Sequence, residues 1–157
     1  MADYNTLNTL IAAFNDIANR HKQLKSFGVG NDWEVGASAA LTHAALWINP
    51  TNASMPKGEN GYSSYSVDFD VKVFDLVNLD ESNENEVLSD TFEIIKDVVN
   101  EFNTHPDYIN SDFNIINDLN FTSFTEKFDS SVSGWQVTFT LLAPNQRSYC
   151  TDPIEPK

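Results

Sequence analysis

The sequence predicts an α+β domain in which two helices pack on one face of a mostly antiparallel β-sheet. Three observations carry this expectation. Two stretches place apolar residues at steps of three and four, which lays one apolar stripe along a helix. Two others alternate apolar and polar residues, the mark of a half-buried strand. The order is helix, strands, helix, strands, with no internal repeat and no domain-splitting linker. The chain has 157 residues, of which 41% are hydrophobic, including 11 Phe, 5 Tyr and 3 Trp, so material for one core is present. One domain is expected over residues 1–144. Residues 145–157 are expected to be an extended tail, because Pro153 and Pro156 follow without any apolar pattern.

The first helix is expected over Tyr4 to Leu24, with Leu7, Leu10, Ile11, Phe14, Ile17, Ala18 and Leu24 on one stripe. Asp3 or Asn5 can cap its start, and Phe27-Gly28-Val29-Gly30 is expected to stop it. Trp33-Glu34-Val35 and Ala44 to Ile48 are short strand candidates, the second closed by Asn49-Pro50. Thr51 to Gly61, with Pro56, Gly58, Asn60 and Gly61, reads as a loop at a hairpin tip. Tyr65, Val67, Phe69, Val71 and Val73 alternate with Ser66, Asp68, Asp70 and Lys72, so a long strand ending near Leu76 has one apolar and one acidic face.

A second helix is expected after Asp80, capped by Ser82 or Asn83, with Glu84 and Glu86 favourable at its positive N-terminus. Its stripe is Leu88, Thr91, Phe92, Ile95, Val98, Val99 and Phe102, and His105-Pro106 ends it. Phe113 to Ile116 and Phe121 to Phe128 read as strands. Asp129-Ser130-Ser131 reads as a turn, and Trp135, Val137, Phe139 and Leu141 mark a last strand.

Net charge is −14, and it is lopsided: residues 1–60 hold five acids and four bases, while 18 acids and five bases follow. Such a balance opposes gripping a phosphate backbone or an anionic membrane; it does not exclude a pore that DNA passes through without adhering. The single cysteine, Cys150, has no partner for a disulfide or zinc site, which fits a reducing interior. Residues 1–20 lack a basic start and a continuous apolar core, so no signal peptide is expected. No run nears the ~20 apolar residues of a membrane span, and a soluble protein is expected.

No catalytic, cofactor-binding or metal-binding constellation emerges. His21, His43 and His105 lack a His or Cys at ligand spacing, and His21 reads as a packing residue. Gly28 and Gly30 follow a helix instead of joining a strand to one, and no phosphate-cradling motif occurs. Counted as a calcium loop from Asp80, positions six and twelve hold Asn85 and Thr91 where Gly and Glu are required, so that reading fails. Asp68, Asp70 and Lys72 share one strand face, as in magnesium-dependent nucleases. The chain's acidity opposes the DNA grip a nuclease needs. Cys150 has no evident base to activate it.

The run Phe74 to Thr91, followed by an amphipathic helix, resembles a segment of small virion proteins of tailed bacteriophages. The run Phe124 to Trp135, leading into an alternating strand, is similar to the same group. The element order over Met1 to Pro144 also resembles the α+β tail terminator and tail completion proteins of long-tailed phages.

The resemblance implies a structural virion protein and no enzyme. It would form a ring, typically a hexamer, in the tail neck after assembly in the host cytoplasm. Its partners would be its own copies, the tail tube protein and the head-tail connector or stopper, with DNA passing through the lumen and no membrane contact. Under that reading Asp68, Asp70, Asp75, Asp80, Glu81, Glu84 and Glu86 are candidates for an acidic lumen or interface. Phe74 is a candidate interface anchor, whereas Trp135 is in phase with Val137 and Phe139 and reads as core. The loop Thr51 to Gly61 and the tail after Pro144 would reach towards neighbours. Another neck component, a small adaptor or binding domain, and a metal-dependent nuclease are the alternatives.

Overall fold

The computed structural model describes residues 5–31, 43–78, 80–127, 131–145 and 154. Over these the chain forms α1 (Leu7–Arg20), β1 (Ser26–Val29), β2 (Ala45–Ser54) and β3 (Ser64–Leu76). It continues with α2 (Glu84–Thr104), α3 (Pro106–Asn110), β4 (Asn114–Ile115), β5 (Thr122–Lys127) and β6 (Ser131–Pro144). The six strands make one sheet ordered β1-β2-β3-β6-β4, and β5 pairs with the other half of β6. Only β1 against β2 is parallel. The fold is α+β, as expected.

Side-chain alternation sorts the sheet into two faces. Val67, Phe69, Val71 and Val73 of β3, with Val137, Phe139, Leu141 and Ala143 of β6, meet α1 and α2 in the main core. Phe14 of α1 is its hub, with ring centroids 5.1 Å from Phe69, 5.0 Å from Phe102 and 5.9 Å from Phe139. Trp135 joins this core from the edge: its ring lies 5.0 Å from Phe92 and its indole N–H donates to the Leu88 carbonyl at 2.8 Å.

Several boundaries differ from expectation, each for a local reason. The first helix begins at Leu7, because Thr6 accepts from the Thr9 N–H and Thr9 reciprocates in a capping box, in place of Asp3 or Asn5. It ends at Arg20, well before Leu24. Phe27-Gly28-Val29 is no helix stop but strand β1, held by its parallel pairing with β2. There Gly28 lies opposite Trp47, whose ring occupies the space a Cβ would fill and whose Nε1 donates to the Gly30 carbonyl at 2.9 Å. Strand β2 does not close at Asn49-Pro50; it runs to Ser54 through a register shift between Pro50 and Asn52. The loop is therefore shorter than Thr51 to Gly61. Residues 55–63 form it, pinched where Gly58 and Gly61 exchange two backbone hydrogen bonds.

Asn83 caps α2 by position only; its side chain accepts from the Asn78 N–H instead. The buried stripe of α2 is rotated towards Val87 and Ile94, with Leu88, Phe92 and Val99 half-buried. His105 ends α2 but also caps a further turn, α3, by accepting from the Asp107 N–H, and Pro106 suits its first position. The expected strand at Trp33 to Val35, residues 128–130 and Cys150 lie outside the described residues, as does the expected tail apart from Asn145 and Ile154. Among the described residues no helix is long and apolar enough to cross a membrane.

Candidate functional site

The face of the sheet opposite α1 and α2 carries the even-numbered residues of β3. Across β2, β3 and β6 it reads Trp47–Lys72–Gln136, then Asn49–Asp70–Thr138, with Asp68 opposite Thr140 in the next row. Thr138 Oγ1 donates to Asp70 at 3.0 Å, and Thr140 Oγ1 donates to Asp68 at 2.8 Å. Both carboxylates are thus fixed by hydroxyls from the neighbouring strand. Asp70, Asn120, Thr122, Gln136 and Thr138 line a shallow depression on this face.

One end of the same face is apolar. Ala45, Trp47, Phe74 and Val132 form a second small core, with Phe124 packed against it. Phe74 is only 1% exposed, so it is no surface anchor in this chain; strand phase puts it outside the main core, but β2, β5 and β6 cover it. Its ring lies 5.8 Å from His43 and 6.2 Å from Phe124. Lys72 is buried beside this cluster, its ammonium 5.5 Å from the Phe124 ring centroid.

The remaining predicted carboxylates do not join Asp68 and Asp70. Asp75 pairs with Ser133, which pairs with Thr125, and alternation puts this row on the helix side of the sheet. Glu84, in the first turn of α2, accepts from Thr125 Oγ1 at 2.7 Å and from Ser133 Oγ at 3.5 Å. It ties the helix start to β5 and β6. Asp80, Glu81 and Glu86 are exposed in the β3–α2 connection and the first turn. Ser82, through its hydroxyl and its backbone N–H, holds the Asp80 carboxyl below the usual carboxylate value. Glu81 adopts φ 59°, a left-handed conformation that turns the chain into α2.

The sequence reading missed a second acidic surface. Glu86, Asp90, Glu93, Asp97 and Glu101 recur at steps of three and four along the outward side of α2. The complement of the apolar stripe would have revealed them. Basic side chains and a histidine answer the second half of this ridge: Lys96 meets Glu93 at 2.7 Å, Arg20 meets Glu101 at 2.8 Å, and the His21 Nε2 lies 3.1 Å from Asp97. Arg20 also reaches Asp16 at 2.9 Å, and Tyr108 donates to Asp16 at 2.6 Å, so α1, α2 and α3 share one polar staple. Burial and the Asp16 carboxylate push the Tyr108 phenol up to about 12. The Tyr108 hydroxyl in turn holds Asp16 below the usual carboxylate value, with Arg20 helping.

Asp68, Asp70 and Lys72 do share a face, at alternate positions of β3. Each carboxylate spends an oxygen on a threonine. Among the described residues no group of three or more His, Cys, Asp or Glu is placed to hold a metal ion. The arrangement offers fixed negative charge on a hydroxyl-rich surface. Compared with known proteins, the chain matches no family model and no curated protein.

Proposed function

We propose that this chain is a structural subunit of a tailed-phage neck, of the tail-terminator type, assembling into a ring through which DNA passes. The observation that carries the reading is how the acidic excess is displayed. The carboxylates lie along the outer face of β3, in the β3–α2 connection and on the α2 ridge, spread over surface elements instead of converging round a cleft. A surface of that sign repels a phosphate backbone at close range while its bound water lets the strand slide. The α+β architecture and the two runs at Phe74 to Thr91 and Phe124 to Trp135 agree with the same reading. In a head-to-tail ring each subunit presents two different, complementary surfaces, and DNA lies on the common axis.

Light scattering or native mass measurement on the purified chain tests this directly. The expected outcome is a closed oligomer, of the hexameric kind the resemblance implies, that grows in population with concentration. A chain that stays monomeric at every concentration would overturn the proposal. In particles carrying the ring, imaging should place it between tail tube and connector.

A further inference from the structure

Two features lie at the same end of the sheet but on opposite lateral sides of it. The loop of residues 55–63 extends beyond the ends of β2 and β3, at the edge where β1 no longer accompanies β2, because β1 pairs only with Ala45 to Ile48. This tip exposes Met55 (49%) and Tyr62 (54%), apolar side chains outside the core clusters, and the exposed Lys57 and Glu59 lie between them. Its backbone is tied at two points. Gly58 and Gly61 bond each other, while Asn145 donates its backbone N–H to the Ser63 carbonyl at 2.9 Å and its side-chain amide to the Tyr62 carbonyl at 3.0 Å.

Across the sheet, β4 pairs with Leu141 and Leu142, at the β6 end that lies beside the tip. Just before β4, a groove opens between α1 and α3. Ala12, Ala13, Tyr108 and Phe113 give it an apolar floor, and Asp16 and Asp107 stand on its rim. Asp16 is engaged by Tyr108 and Arg20, whereas the Asp107 side chain is 83% exposed, 3.9 Å from the His105 Nδ1 that accepts from the Asp107 backbone N–H.

We propose that the tip of one copy seats in the α1–α3 groove of the next. This rests on the ring reading and names the contact that builds it. Three strand spacings, about 14 Å, separate the β2 edge from β4. Rotation about an axis roughly parallel to the strands carries one lateral side onto the other, which is what a closing head-to-tail contact requires. The chemistry matches as well. Met55 and Tyr62 would cover the apolar floor, and Lys57 would bring one of the chain's nine basic groups to the carboxylate of Asp107. In a chain of net charge −14 the tip is formally neutral, Lys57 offsetting Glu59, so seating it with Lys57 towards Asp107 brings no excess negative charge to the acidic rim.

The test reverses the charges. Lys57→Glu alone and Asp107→Lys alone should each raise the concentration needed for half-assembly by about tenfold or more, and the double exchange should restore most of the loss. Far-ultraviolet circular dichroism checks that each variant is folded. A carbodiimide reaction on a mixture of isotope-labelled and unlabelled wild-type chains should join Lys57 of one copy to Asp107 of another. Rings that persist unchanged in both single variants, without that cross-link, would overturn the contact and leave the ring reading standing. A wild-type chain that never assembles would overturn both.

Discussion

His43 stands at the entry to β2 with its ring against Phe74, and its Nδ1 is buried with no hydrogen-bond partner among the described residues. Burial lowers its proton affinity below the ordinary histidine value of 6.5, against the opposing pull of the Asp75 carboxylate. A histidine that resists protonation when folded must bind fewer protons than it does unfolded. Stability from this group is therefore complete above the unfolded value and falls as pH drops below about 6.5. Replacing it by asparagine should remove part of the loss of thermal midpoint between neutral and mildly acid pH. If the variant and the wild type lose the same amount over that window, His43 does not drive the loss. Phe74, on which this ring rests, shows where residue-level reading stops. The sequence reads it as a surface anchor, but exposure depends on what β2 and β5 lay over it, and no local pattern carries that.

At the scale of elements, β6 approaches β3 closely at Gly134. Gly134 pairs with Phe74, and a Cβ there would run into the Val73 carbonyl and the Phe74 backbone, neither of which can turn aside as a side chain could. Gly134→Ala should thus cost about 2 kcal/mol or more, beyond the usual range for an exposed substitution. Urea unfolding would show this as a lower midpoint with an unchanged slope; an unshifted midpoint would mean that the strands can separate locally at no cost.

The same contact explains which elements the sequence revealed. Strands β3 and β6 were legible because alternate positions from Tyr65 to Val73, and their partners from Ala143 to Trp135, keep one face apolar. Strand β1 was not, because its Gly28 makes room for a tryptophan 19 positions later, and α3 is a single turn whose cap doubles as the end of α2. Of the candidate acidic residues, Asp68 and Asp70 were placed correctly by alternation. Glu84 was rightly read in the first turn of α2, but its tie to Thr125 was not legible, since it spans 41 positions of chain.

For the molecule as a whole, the governing quantity is like-charge repulsion on a chain of net charge −14. The α2 ridge concentrates it locally: Asp90 has Glu86 four positions before it and Glu93 three after it, while Lys96 is already engaged by Glu93 at 2.7 Å. Asp90→Lys would turn two repulsions into attractions, with Glu86 in the favourable N-terminal position relative to the new cation. The expected gain is about 0.5–1 kcal/mol at low ionic strength, because each such pair changes by a few tenths in either direction. All of these groups are solvent-facing, so the gain must be screened. It should be largest near 0.01 M salt, where the screening length is about 30 Å, and nearly vanish near 1 M, where it is about 3 Å. Urea midpoints of the two proteins at both salt concentrations decide the matter. A gain that survives high salt would point to better helix packing or propensity instead. No gain at low salt would mean that the ridge is held by its cations and contributes nothing to the repulsive field.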